Sequence, residues 1–118
     1  KRFFSEYPIL FDLPKQQKGL RTPWLAYPVI IRNKKINRQK LQIFLEKKGI
    51  QTRTIFTGNI LRQPIMKKRY FKKIKFSEVN SNDVMKNGIL IGCHHGLNNK
   101  DLNYIKKNFK IFINNIPR

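Results

Sequence analysis

The segment from Asn37 to Gly49 limits the possible folds most, because hydrophobic pattern and punctuation agree there. Asn37 has the side chain of a helix N-cap, and Ile36 and Leu41 stand at the spacing of a hydrophobic staple around it. Leu41, Phe44 and Leu45 fall on one face of a helix running from about residue 38 to 48. Lys40, Gln42, Glu46 and Lys47 fall outside that face. Gly49 is the stop, since glycine enters the left-handed backbone region that ends helices at little steric cost. A helix with a single apolar stripe has to lie against another layer.

That layer begins immediately afterwards. Residues 51–56, QTRTIF, are rich in β-branched side chains and read as a strand. Alternation places Ile50, Thr52, Thr54 and Phe56 on one face, with Phe56 expected to point into the core. Gln51, Arg53 and Ile55 then take the other face, so Arg53 is expected to look outward. Thr57-Gly58-Asn59 is a turn signal, and Arg62-Gln63-Pro64 closes a polar segment. A strand that delivers Arg53, Asn59, Arg62 and Gln63 into a loop is one way to build a binding site. A plain solvated turn is the other reading of the same residues.

Around this unit the remaining elements alternate. Residues 24–32 read as a strand in which Pro28 is tolerable only near its start or on an edge. Ser81 is a candidate cap for a helical turn over residues 83–85, stopped by Asn87-Gly88. Ile89 to Cys93 reads as a short strand buried on both faces. A closing helix over about residues 99–113 has Asn98 as cap, Leu97 and Leu102 as staple, and Asp101 at the positive end of its dipole. Leu102, Ile105, Phe109 and Phe112 form its inner stripe. Residues 1–23 contain Tyr7-Pro8 and Leu13-Pro14, which break helices, and read as a connecting segment with a short extended piece near Phe11. The order predicts an α+β fold: a short mixed or antiparallel sheet with helices on one face, one domain over residues 1–118.

The charge needs interpretation, because 26 Lys and Arg against 6 Asp and Glu give +20. Such an excess ordinarily suggests nucleic acid or an anionic surface. The strongest local candidate is Lys67 to Lys75, KKRYFKKIK, where cations interleave with aromatics that could stack on bases. Lysine, isoleucine and asparagine are abundant throughout, however, and Ala26 is the sole alanine. A bias spread over the whole chain favours a solvated loop, leaves nucleic acid as the alternative reading, and still suits an anionic ligand. One cysteine, Cys93, excludes an intrachain disulfide framework and makes a reducing, cytoplasmic setting the default. The apolar run over residues 24–31 is far short of the roughly 20 residues that span a bilayer, so no membrane role is expected. The first residues lack both an initiating Met and the apolar core of a signal peptide, as in a piece of a longer protein.

Cys93-His94-His95 offers ligand atoms, yet alternation turns His94 away from its neighbours, and the chain has no further Cys or His to complete a tetrahedral set. No metal is therefore expected. His94 and His95 either present an imidazole to a pocket or bond to neighbouring backbone. Paired carboxylates and a glycine-rich phosphate loop are both missing, and no lysine is placed like a Schiff-base residue.

Four stretches in order resemble the C-terminal region of the DegT/DnrJ/EryC1/StrS family of vitamin B6-dependent sugar aminotransferases. They are Thr22 to Val29 (TPWLAYPV), GIQTR with TGN and RQP between Gly49 and Pro64, Asn82 to Met85 (NDVM), and Gly88 to Leu97 (GILIGCHHGL). The branch of nucleotide-sugar 3-dehydrases in lipopolysaccharide synthesis is the most similar. The resemblance implies the small C-terminal domain of a fold-type-I enzyme. It implies pyridoxal phosphate or pyridoxamine phosphate, bound mainly by a large domain that precedes it, and a nucleotide-linked keto-deoxysugar as substrate. It also implies a homodimer, and a domain that contributes no catalytic residue. Arg53, Asn59, Arg62 and Gln63, with His94 and His95, are the substrate-binding residues this reading selects.

Overall fold

The computed structural model describes residues 2–68 and 77–117. Its regular elements are β1 (Phe11–Asp12), β2 (Ala26–Ile31), α1 (Arg38–Glu46), β3 (Thr52–Arg53), α2 (Val79–Asn87), β4 (Gly88–Gly92) and α3 (Asn99–Asn114). The four strands form one antiparallel sheet in the order β1-β2-β4-β3. The basic segment proposed for nucleic acid lies outside the described residues beyond Lys68.

Side-chain alternation divides the sheet into a covered face and an open one. Val29 and Ile31 on β2 and Ile89 and Ile91 on β4 point into the core, and Thr52 pairs with Ile91 on the same side. Leu41 and Leu45 of α1 and Phe109 of α3 meet them there, each fully buried. The other side carries Ala26, Pro28, Ile30 and Leu90, all half-buried, and the exposed Arg53. Pro28 fits because β1 pairs only with Ile30 and Ile31, which leaves the β1 side of β2 open at the proline. β4 is thus buried on one face and not on both.

The α1 unit forms as the sequence predicts. Asn37 accepts from the Lys40 amide at 3.0 Å. At the other end Gly49 has φ +69°, its N–H donates to Glu46 O, and Ile50 N–H donates to Leu45 O. This is a Schellman cap, and Ile50 and Leu45 both belong to the core. In α3 the cap is a full capping box: Asn98 accepts from Lys100 and Asp101, and the Asp101 carboxylate accepts from the Asn98 amide.

Four expectations need correction. The strand over residues 51–56 pairs only at Thr52 and Arg53, because Gly58 N–H turns back onto Ile55 O and draws the chain off the edge of β4. Phe56 is 90% exposed with φ +44°, so it lies in the turn and not in the core. Helix α2 starts at Val79, where Ser77 Oγ accepts the Val79 amide; Ser81 sits inside the helix and caps nothing. Leu102 is exposed at 39%, and the inner face of α3 instead contains buried Asn108, whose Nδ2 donates to Tyr104 O.

The N-terminal residues contribute more to packing than their pattern suggests. Phe3, Phe4 and Phe11 are buried, and with Phe109 they form an edge-to-face cluster in which the Phe4 and Phe109 centroids lie 5.0 Å apart. An ionic tie adds to this packing and to the β1–β2 pairing. Arg32, just past β2, bridges Asp12 on β1 and Asp83 on α2. Burial alone would raise the Asp83 pKa, but hydrogen bonds from Asn87 and Arg32 outweigh it and hold the carboxyl below its ordinary range; Arg32 is raised by its hydrogen bonds to Asp12 and Asp83.

Candidate functional site

Two clusters of polar side chains flank the turn that follows β3. The first lies at the end of the sheet, in a cavity of about 450 Å³ lined by Arg53, Leu90, His94, Leu97, Asp101 and Tyr104 among others. That volume suits a small organic ligand or part of a larger one. Arg53 is the only Lys or Arg in the lining, and its guanidinium makes no hydrogen bond or ion pair with any described residue. Asp101 and Tyr104 are already engaged. Asp101 accepts from Asn98 N–H at 3.0 Å, and the Tyr104 hydroxyl donates to Lys48 O at 3.1 Å. His94 accepts from the Gly96 amide through Nδ1 at 3.2 Å, which directs the ring proton to Nε2. Among the described residues, Arg53, Nε2 of His94 and the Gln51 side-chain amide are therefore donors left open in the lining, and the chemistry they suit is an anion or a hydroxylated group.

The second cluster joins the loop to α2. Asn59 is 3% exposed. Its Nδ2 donates to Glu78 Oε2 at 3.0 Å and to Asn82 Oδ1 at 2.9 Å, and its Oδ1 accepts from Leu61 N–H at 3.0 Å. Both amide protons and the oxygen are thus used inside the chain. Asn82 Oδ1 also accepts from Arg62 Nε at 3.2 Å, and Gln63 Nε2 donates to Thr57 O at 3.3 Å. Gly58, at φ +67°, lets the turn rest on α2: a Cβ there would lie 2.3 Å from Met85 Cβ.

The structure therefore brings Arg53 and His94 together, and separately Asn59 and Arg62, with residues 54–58 joining the two groups. Gln63 braces the loop through Thr57, and exposed His95 is not part of the cavity lining. Cys93 donates through Sγ to Trp24 O at 3.2 Å. No group of three His, Cys, Asp or Glu able to hold a metal occurs among the described residues. The buried Tyr27 hydroxyl has no hydrogen-bond partner among the described residues, and burial pushes its pKa up. Sequence reasoning missed Glu78 and Asn82 as parts of this assembly. Misplacing the start of α2 at Ser81 hid the fact that Asn82 lies one turn inside a helix facing the loop.

A small antiparallel sheet backed by helices thus ends in a cavity whose lining includes an arginine and a histidine. The profile of the DegT/DnrJ/EryC1/StrS aminotransferase family matches residues 1–110, and the chain belongs to that family. It is 30% identical over 102 residues to the lipopolysaccharide biosynthesis protein RfbH of Salmonella typhimurium, covering 86% of this chain and 23% of that protein. It superposes on E coli GDP-4-keto-6-deoxy-D-mannose-3-dehydratase with bound hydrated PLP at a TM-score of 0.76 and 25% identity, covering 91% of this chain and 27% of that one. A DegT DnrJ EryC1 StrS aminotransferase from Brucella abortus gives a TM-score of 0.76 at 18% identity, over 94% of this chain and 28% of that one, and shares the fold. The chain thus spans about a quarter of the length of the relatives it matches. No helix among the described residues is long and apolar enough to cross a membrane.

Proposed function

We propose that this chain is the small C-terminal domain of a pyridoxal or pyridoxamine phosphate-dependent enzyme acting on a nucleotide-linked 4-keto-6-deoxysugar in cell-surface polysaccharide synthesis. Its similarity to RfbH and to the 3-dehydratase supports the substrate class. The observation that carries the domain's own role is the Arg53 guanidinium, unpaired among the described residues, in a cavity with His94.

The residues here do not make a cradle for the cofactor. Among the described residues no lysine lines the cavity with Arg53 and His94; this reading leaves the cofactor to the rest of the enzyme and assigns no covalent step to this chain. Its part is to hold and orient the substrate and to exclude water around it. Arg53 contacts the anionic or hydroxylated portion, with His94 Nε2 as a second donor. Arg62 offers its terminal nitrogens from the adjoining loop, which Gln63 braces through Thr57. Asn59, whose amide is spent internally, acts by shaping that loop. Whether the enzyme transaminates or dehydrates is decided at the cofactor-linking position, which no residue of this chain matches.

Leu25 at 95% and Phe56 at 90% exposure leave apolar surface for the rest of the enzyme, or for the second subunit of a homodimer, to cover. The setting proposed is the cytoplasm.

In the full-length enzyme, Arg53→Lys is expected to weaken nucleotide-sugar binding by about 1–3 kcal/mol, because an ammonium cannot reproduce a planar two-pronged contact. Stability should change by less than about 0.5 kcal/mol, as for other exposed sites. Calorimetric titration with a GDP-linked 4-keto-6-deoxysugar, paired with thermal melting, checks both. Unaltered affinity with a large fall in melting temperature would make Arg53 structural and remove it from the site.

A further inference from the structure

We infer that Asn82, on α2, is the positioning residue that sets the reach of Arg62 toward the substrate; this rests on the function proposed above. The inference comes from one oxygen atom. Asn82 Oδ1 accepts two hydrogen bonds, from Asn59 Nδ2 at 2.9 Å and from Arg62 Nε at 3.2 Å. Asn59 in turn fixes the backbone of the same loop, because its Oδ1 accepts from Leu61 N–H and its main-chain oxygen accepts from Arg62 N–H. One helical side chain thereby controls both the main chain at residues 59–62 and the direction of the Arg62 side chain.

The geometry also decides what remains for a ligand. With Nε occupied, the guanidinium plane of Arg62 is held at its root while its two terminal nitrogens make no hydrogen bond to any described residue. A guanidinium fixed at Nε and open at its far edge presents the paired donors that suit phosphate oxygens. Arg62 is exposed, so without Asn82 it would sample many rotamers, and ordering it would cost binding free energy on each encounter. The turn before the loop is already seated on the same helix through Gly58 and Met85, so α2 serves as the fixed base.

The chemistry at position 82 is specific enough to separate positioning from packing. Both partners are donors, so what matters is an acceptor at this place. Asn82→Asp keeps an acceptor oxygen, whereas Asn82→Leu keeps the approximate shape and removes it. In the full-length enzyme, Asn82→Leu is expected to raise the Kd for a GDP-linked 4-keto-6-deoxysugar about tenfold, while Asn82→Asp stays within about twofold of the unsubstituted protein. The Arg62→Ala and Asn82→Leu losses should not add, since both remove the same contact. Amide hydrogen exchange at Leu61 and Arg62 should quicken in Asn82→Leu and not in Asn82→Asp, with exchange in the core of α2 unchanged.

Unchanged exchange at those two amides in Asn82→Leu would overturn the inference. So would losses that add fully with Arg62→Ala, or a failure of Asn82→Asp to restore binding. An unsubstituted enzyme that binds no nucleotide-sugar would instead overturn the proposed function, and the exchange result would still decide whether Asn82 holds the loop.

Discussion

Replacing Phe109 by alanine is expected to remove about 3–5 kcal/mol of stability, the range for deleting a fully buried aromatic side chain. Phe109 is 0% exposed and lies where α3 meets the N-terminal residues and the sheet. Its ring stands edge-to-face with Phe4 at 5.0 Å and interplanar angle 88°, and with Phe3 and Phe11 at 6.2 and 6.4 Å. Such pairs contribute about 0.5–1.5 kcal/mol each beyond area burial, which places the loss toward the upper end. A domain of this kind has about 5–15 kcal/mol in total, so the midpoint should fall on the order of 15–20 °C. Phe112→Ala, at a half-buried position, should cost clearly less. Chemical denaturation of both variants checks this. A Phe109→Ala loss below about 1 kcal/mol would mean that the aromatic cluster is not the centre of the core.

The second large effect is expected at Gly58, and Gly49 provides its control. Both glycines have positive φ, +67° and +69°, so alanine at either pays for the left-handed backbone, about 1 kcal/mol. They differ in space. At Gly49 a Cβ would meet nothing within 4 Å, whereas at Gly58 it would lie 2.3 Å from Met85 Cβ and 2.4 Å from Met85 Cα. Main-chain atoms of a helix cannot give way as a flexible side-chain tip can. Gly58→Ala must therefore lift the turn off α2, stretching the Asn59 bonds to Glu78 and Asn82. The overpacking adds about 1–3 kcal/mol to the backbone strain, so Gly58→Ala should cost about 2–4 kcal/mol against about 1 for Gly49→Ala. Equal effects in denaturant unfolding would show that the turn does not rest on the helix.

What was legible in the sequence, and what was not, follows from the range of the interactions concerned. The α1 unit and the α3 cap were readable because their determinants lie within a few residues: Asn37 with Lys40, Gly49 with Leu45 and Glu46, Asn98 with Asp101. Phe56 was misplaced because period-two alternation assumes the strand continues. A turn formed at Gly58 ended the pairing after Arg53. The same holds for β4, whose apolar run looks buried on both sides although Leu90 faces a cavity. Phe3 and Phe4 were unreadable as core, since nothing local distinguishes an aromatic that packs on a helix 105 residues later from one in a connector. At the site, alternation from the core face correctly turned Arg53 outward. The placing of His94 in the same cavity as Arg53 and the tie of Asn59 to Asn82 join residues 41 and 23 apart in the chain, and no spacing rule reports them.

The central claim is that this domain grips the nucleotide-sugar through the Arg53 cavity and the loop after β3. Amide hydrogen exchange of the full-length enzyme, with and without a GDP-linked 4-keto-6-deoxysugar at saturating concentration, tests it most directly. Slower exchange on ligand addition at residues 53–63 and 92–97, lost in Arg53→Lys, is the predicted result. Protection confined to parts of the enzyme outside this chain, with those two segments unchanged, would contradict it.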